Sequence, residues 1–334
     1  MEKRGNGLLP SLLIEAETLA EGWHKAMIAC YEKGARALDP QYQEKSALCY
    51  DADVTIRIAR PLEEPIRHKF ALYDDDRGLM QYILEVTHGI HNHWKRNPND
   101  PNDTRWGYTY NERFSPQIPF VLARIKKDWE KRKDLSSRKY TFGIWRPKED
   151  SILEQGDPPC WQRGHLRFLQ DDNEEIWLNY ITEWRSRDLA KAWLENNIGQ
   201  TTKYGLHKLF ADKISTMLEI PIHVGAYIDK SSSLHIYGRY FEEGMENMIK
   251  KMKEDVNKKN FEQIIGMPLF FEDEKSLKRL ISAQDDAEIK GHGKNLPEDR
   301  LKKLGYDIKN FPYPSDWNSW PKEWDKKLDK STLI

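Results

Sequence analysis

The apolar residues of this chain change period along its length, and that change limits the fold more than any other feature. Asp51 to Arg60, DADVTIRIAR, alternates at the period of a strand, with Val54, Ile56 and Ile58 on one side, and Pro61 and Pro65 close the run. Residues 116–134 repeat at helical spacing instead. That turns Ile118, Val121, Leu122, Ile125 and Trp129 inward and leaves a charged outer face. Residues 77–91, 206–220 and 241–263 read as further helices, and residues 10–36 as an amphipathic one, with Leu12, Leu13, Ala16, Leu19, Ala20, Trp23, Met27 and Ile28 on a broad face. Strands are expected at 140–145, and at 165–170 and 174–185 as an antiparallel pair. IPIHVGAYI and SLHIYGRY are expected to form a second pair around the polar DKSSS. Strands in a block with helices between them, in no regular βαβ repeat, predict an α+β fold.

Length and charge exclude several classes. At 334 residues the chain is long enough for one large domain with additions, or for two. The 53 Lys+Arg and 54 Asp+Glu nearly cancel, so no global field draws it to a nucleic acid polymer or an anionic membrane. No stretch approaches the ~20 apolar residues a membrane helix needs. The first 30 residues read as an amphipathic helix rather than a signal peptide, and the three cysteines, Cys30, Cys49 and Cys160, suit a reducing compartment. A cytoplasmic location is the expectation. The cysteines do not fall at zinc spacing, and no metal site is expected.

Three motifs carry chemistry. Cys160 follows two prolines in GDPPCWQRG, on a stiff backbone between strand candidates. A lone cysteine is either a nucleophile or a small buried hydrophobe. In WRSRD, Arg185 and Arg187 share one face if the strand alternates through them, and an arginine fork suits a phosphate or a nearby thiolate. A surface ion-pair cluster is the alternative. His235 and Tyr237, two residues apart in LHIYG, point the same way from a strand.

Together these segments resemble the folate-dependent thymidylate synthase family, which includes the pyrimidine-nucleotide hydroxymethylases. Pro159-Cys160-Trp161 is similar to the family's nucleophile segment and Arg185-Ser186-Arg187-Asp188 to its phosphate-binding Arg-Ser-x-Asp. Asn196, eight residues past Asp188, corresponds to the Asn that reads the pyrimidine edge, with Asn197 next to it. His235-Ile236-Tyr237 corresponds to the His-x-Tyr that holds the sugar hydroxyl. Ser137-Arg138-Lys139 corresponds to a Ser-Arg-Arg that reaches over the subunit boundary to the phosphate, and Tyr110 to a loop tyrosine near nucleotide and folate. The likeness spans residues 51–250.

The chain also departs from that pattern. Trp184 stands where Gln usually precedes the Arg-Ser-x-Asp segment, and Lys139 replaces an arginine. The family's catalytic glutamate should stand seven residues before a Gly; counting back from Gly89 gives Tyr82, and the available carboxylate is Glu85, one helical turn on. Trp94 and Trp106 are the options for stacking on the folate ring. Arg57 or Arg60 could stand in for an N-terminal phosphate arginine.

The resemblance implies one α+β domain with a large twisted mixed sheet and flanking helices, two such sheets stacking back to back in a homodimer with a shared phosphate site. It implies 5,10-methylenetetrahydrofolate as cofactor and a pyrimidine nucleoside monophosphate as substrate. Thiolate attack at C6 makes C5 of the ring nucleophilic. Cys160 would attack, Arg185 would hold phosphate and thiolate, Asn196 would meet the base edge, and Glu85 would relay protons. Arg138, Lys139, Ser186, Asp188, His235 and Tyr237 would bind substrate; Tyr110, Trp94, Trp106 and Asp188 would bind folate. Methylation of dUMP to dTMP is the leading expectation, favoured by Asn196. Hydroxymethylation of dUMP, dCMP or CMP, with water adding in place of hydride, is the alternative, and a non-catalytic nucleotide-binding protein is a third. The expected organisation is a helical extension over 1–50, the catalytic domain over 51–275, and a C-terminal extension or cap over 276–334, where Trp317, Trp320 and Trp324 cluster.

Overall fold

The computed structural model describes residues 7–38, 48–68, 76–89, 92, 107–151, 158–203, 205–238, 244–258 and 263–264. Its first half runs β1 (Ser11–Ala16), α1 (Leu19–Lys33), β2 (Ala35–Leu38), β3 (Leu48–Ile58), β4 (Arg67–His68), α2 (Asp76–His88), α3 (Tyr110–Phe114) and α4 (Ile118–Arg132). The second half runs β5 (Thr141–Gly143), α5 (Pro147–Asp150), β6 (Trp161–Gln170), β7 (Ile176–Trp184), β8 (Arg187–Asp188), α6 (Ala192–Gln200), α7 (Leu206–Leu218), β9 (His223–Ile236), α8 (Met245–Lys258) and β10 (Gln263–Ile264). Trp94, Trp106 and the whole segment 276–334 lie outside the described residues.

The architecture is α+β around one large mixed sheet in the order β1-β3-β9-β7-β6-β5, with β2 beside β3 and β8 beside β9. β1 runs parallel to β3 and β7 parallel to β9, while β3–β9, β6–β7 and β5–β6 are antiparallel. The alternation read from DADVTIRIAR is realised in β3, where Val54, Ile56 and Ile58 are all buried. On β6 and β7 the same rule buries Leu166, Phe168, Leu178 and Tyr180. Helix residues complete that core: Trp23 of α1, Ile118, Leu122 and Ile125 of α4, and Phe210 and Ile214 of α7. Among the described residues, the opposite face carries partly or largely exposed side chains. Leu13 is 74% and Leu169 59% exposed there, and Arg163 meets Glu183 across β6 and β7 through two bonds of 2.7 Å.

Three expectations need correction. The helix expected over 10–36 starts only at Leu19. Ser11–Ala16 is an edge strand, because Ile14 and Ala16 are buried while Ser11, Leu13 and Glu15 face out at period two. Thr18 then caps α1 by accepting the Glu21 N–H. Gly22 lets the helix settle on β3, since a Cβ there would stand 2.5 Å from Ile58. Residues 11–38 thus belong to the sheet and its core and are not a helix added outside.

The second correction concerns DKSSS. No turn forms there, and β9 continues as one strand of 14 residues. Asp229 and Ser231 face the core, where both hydrogen-bond Arg187, so the polar residues have buried partners rather than solvent. The third concerns WRSRD, which does not alternate as one strand. β7 ends at Trp184 and the chain re-enters the sheet as β8, which separates Arg185 from a fully buried Arg187 side chain.

Candidate active site

Cys160 stands at the entry to β6, directly behind Pro158 and Pro159, and is partly exposed. The antiparallel pairing of Trp161 with Trp184 brings the end of β7 against it. The Arg185 N–H therefore donates to the Cys160 carbonyl at 2.7 Å, and the Arg185 side chain donates to the Pro158 carbonyl at 3.3 Å. The Arg185 guanidinium also lies 5.8 Å from the centre of the Trp145 ring. A cysteine and an arginine are thus held on neighbouring strand ends, joined through their backbones.

Aromatic packing fixes the floor of the site. Trp161 and Trp184 stack at 5.7 Å, and Tyr110 meets both rings edge-on. Tyr110 also lies beside Tyr108, with ring centres 5.7 Å apart. Burial, with smaller contributions from Tyr108, Cys160 and Tyr82, holds its phenol well above the ordinary range, so it remains a neutral hydroxyl beside the thiol.

Two helices supply the amide. α6 carries Asn196, whose Nδ2 donates to the Tyr82 hydroxyl on α2 at 2.9 Å. Burial, Glu85 and Glu195 raise the Tyr82 phenol well above its usual value. Glu85, partly buried one turn further along α2, is therefore near the same cluster. Tyr82 itself was not among the residues assigned a role from sequence. Its signal was the seven-residue spacing before Gly89, where a glutamate was expected.

The neighbouring Asn197 points the other way. Its Oδ1 accepts from the Tyr227 hydroxyl at 2.6 Å and from Arg187 at 3.2 Å, inside a fully buried network that also holds Asp229, Ser231 and Thr182. Arg187 and Asn197 thus organise the core, whereas the Arg185 backbone meets Cys160 and the Asn196 side chain meets Tyr82.

A second group lies where β8 pairs with β9. The register sets Asp188 opposite His235, and the Leu189 N–H donates to the His235 carbonyl at 2.7 Å. The His235 and Tyr237 rings are 4.6 Å apart, edge to face. Behind His235, the Ser233 hydroxyl donates to Asp51 at 2.8 Å and lies 3.3 Å from His235 Nδ1. Burial raises the Asp51 carboxyl, with the Ser233 and Ala52 hydrogen bonds working against that rise. Asp188 Oδ1 accepts the Ala190 N–H at 2.9 Å, and Ser186 is partly buried in the break between β7 and β8.

Arg138 and Lys139 are exposed just ahead of β5, the last strand at that edge of the sheet. Among the described residues, no cluster of three metal-ligating side chains occurs, and no helix is long and apolar enough to cross a membrane.

No protein-family model and no curated protein matches the chain. Among solved structures it is similar to the thermostable thymidylate synthase A of Bacillus subtilis. That match has 14% identity and a TM-score of 0.43 over 71% of this chain and 84% of the other.

Proposed function

We propose that the protein transfers a one-carbon unit to C5 of a pyrimidine nucleoside monophosphate, with dUMP as substrate and dTMP as product. The observation that carries this reading is the meeting of Cys160 and Arg185 at the paired ends of β6 and β7. A thiolate at Cys160 attacks C6 and places charge on the ring oxygen at C4. Arg185 holds the thiolate and the 5′-phosphate, and Asn196 meets the base edge. Neutral Tyr110 lines the reacting ring as a hydroxyl, with Glu85 as the carboxylate for proton relay. His235 and Tyr237 receive the sugar hydroxyl.

The donor set suits a reduced folate. Asp188 offers a partly exposed carboxylate, the acceptor that pterin N–H groups require, and Tyr110 offers an aromatic wall beside the thiol. 5,10-Methylenetetrahydrofolate supplies the carbon and, for methylation, the hydride. Arg138 and Lys139, exposed ahead of the edge strand β5, suit a role in which a second copy stacks on the sheet and receives them at its phosphate site.

The test is tritium release from C5-tritiated dUMP, dCMP and CMP with methylenetetrahydrofolate. Release from dUMP with appearance of dihydrofolate absorbance is expected. Release without dihydrofolate identifies hydroxymethylation, and no release from any of the three refutes the enzymatic reading. Turnover by Cys160→Ala would remove the nucleophile assigned here. A monomer's mass in gel filtration would remove the cross-subunit role of Arg138 and Lys139.

A further inference from the structure

Asn196 is held by a contact that a freely rotating carboxamide would lack. Its Nδ2 donates to the Tyr82 hydroxyl at 2.9 Å. The tyrosine ring is seated on Gly199, about one turn beyond Asn196 on the same helix. A Cβ at 199 would stand 2.9 Å from Cε1 and 3.2 Å from Cδ1 of that ring, so the absence of a side chain there sets how closely α2 and α6 approach.

The direction of the hydrogen bond follows from local charge. Glu85 on α2 and Glu195 on α6 both act on the Tyr82 hydroxyl. Carboxylates attract the hydrogen end of the O–H dipole and leave the oxygen lone pair for a donor. The same field draws the amide's N–H end and repels its carbonyl. Nδ2 therefore faces Tyr82, and Oδ1 faces away from it.

We infer that Tyr82 is a positioning residue that locks Asn196 in one amide orientation and so gives the site its choice between uracil and cytosine. This inference rests on the reading of Asn196 as the residue that meets the base edge. Uracil presents an N3–H donor beside the O4 acceptor; cytosine presents an N3 acceptor beside an amino donor. An amide able to rotate serves both, whereas a locked one accepts from uracil N3–H through Oδ1 and mismatches cytosine.

The test measures dUMP and dCMP binding by titration calorimetry on the full chain, for wild type, Tyr82→Phe and Gly199→Ala. Wild type is expected to prefer dUMP. Tyr82→Phe keeps the ring on Gly199 and removes the hydroxyl, and the dUMP:dCMP affinity ratio is expected to fall about fivefold, the size of one net hydrogen bond. Gly199→Ala displaces the ring and is expected to lower the ratio in the same direction, so the idea stays testable if one variant fails to fold. A merely structural role would weaken both nucleotides equally and leave the ratio unchanged. An unchanged ratio in variants that still bind dUMP overturns the inference and leaves the function standing. Failure of wild type to bind either nucleotide overturns both.

Discussion

The Arg187 guanidinium lies 4.0 Å from the centre of the Trp184 ring and turns its Nη2 into the Asp229 carboxylate, with both charged side chains fully buried. Removing one partner strands the other in an apolar interior. Asp229→Ala is expected to lower stability by about 3–5 kcal/mol in urea denaturation. The double variant Arg187→Met, Asp229→Leu is expected to recover most of that loss, because no charge remains to be solvated. A double variant as unstable as Asp229→Ala would show that shape, not charge, sets the penalty.

His207 provides a pH dependence of definite sign. Burial pushes its imidazole down to about 4 from the ordinary 6.5, outweighing the opposing bond to the Leu178 carbonyl. Its Nδ1 is buried with no hydrogen-bond partner. Below pH 6.5 the unfolded chain takes up a proton that the folded chain refuses. The neutral form's stability is therefore complete above 6.5 and lost as pH falls towards about 4. Melting temperatures recorded across that interval are expected to drop, and His207→Gln, which keeps a donor for Leu178, is expected to flatten the slope.

The three cysteines differ in reach. Cys30 and Cys49 are buried, and burial, then the nearby Asp51, pushes the Cys30 thiol up to about 12, whereas Cys160 is partly exposed. Brief treatment of the folded protein with iodoacetamide, read by peptide mass spectrometry, is expected to label Cys160 and spare the other two. On the proposed function, dUMP protects it. Labelling of Cys30 at a similar rate would contradict the burial gradient.

Ser233 links Asp51 to His235. Ser233→Ala removes the hydroxyl and leaves the ring without its bridge to the carboxylate. On the proposed function, dUMP affinity is expected to fall about three- to tenfold, the range of one net hydrogen bond. Binding of inorganic phosphate, which has no sugar hydroxyl, should not change. Equal loss for both ligands would place the effect elsewhere than at the sugar.

Much of the fold is legible where burial follows period. β3, β6 and β7 each expose one face, so their alternation survives in the sequence. β9 does not, because Asp229 and Ser231 imitate turn residues until Arg187, 42 residues earlier for Asp229, is known to meet them. β1 is hidden for a different reason: its two inward residues run straight into the apolar face of α1, and the joint reads as one helix. At the site, the short-range motif around Cys160 and Arg185 is visible because strand pairing brings the two together. Tyr82 and Asn196 are 114 residues apart, and the glycine that fits their helices together carries no chemical signal of its own.

The pairing of β3 with β9 also bears on how the molecule comes to exist. Ser233 and Asp51 are 182 positions apart, yet they touch because those strands are neighbours in the middle of the sheet. During synthesis β3 emerges with β1 and β2 as its available partners, and its other edge stays unpaired until most of the sequence has followed. Such long-range closure makes folding slow and leaves an edge open to association with other chains. The polar residues that support His235 are thus completed among the last contacts, and a bound ligand there would hold the two ends of the domain together.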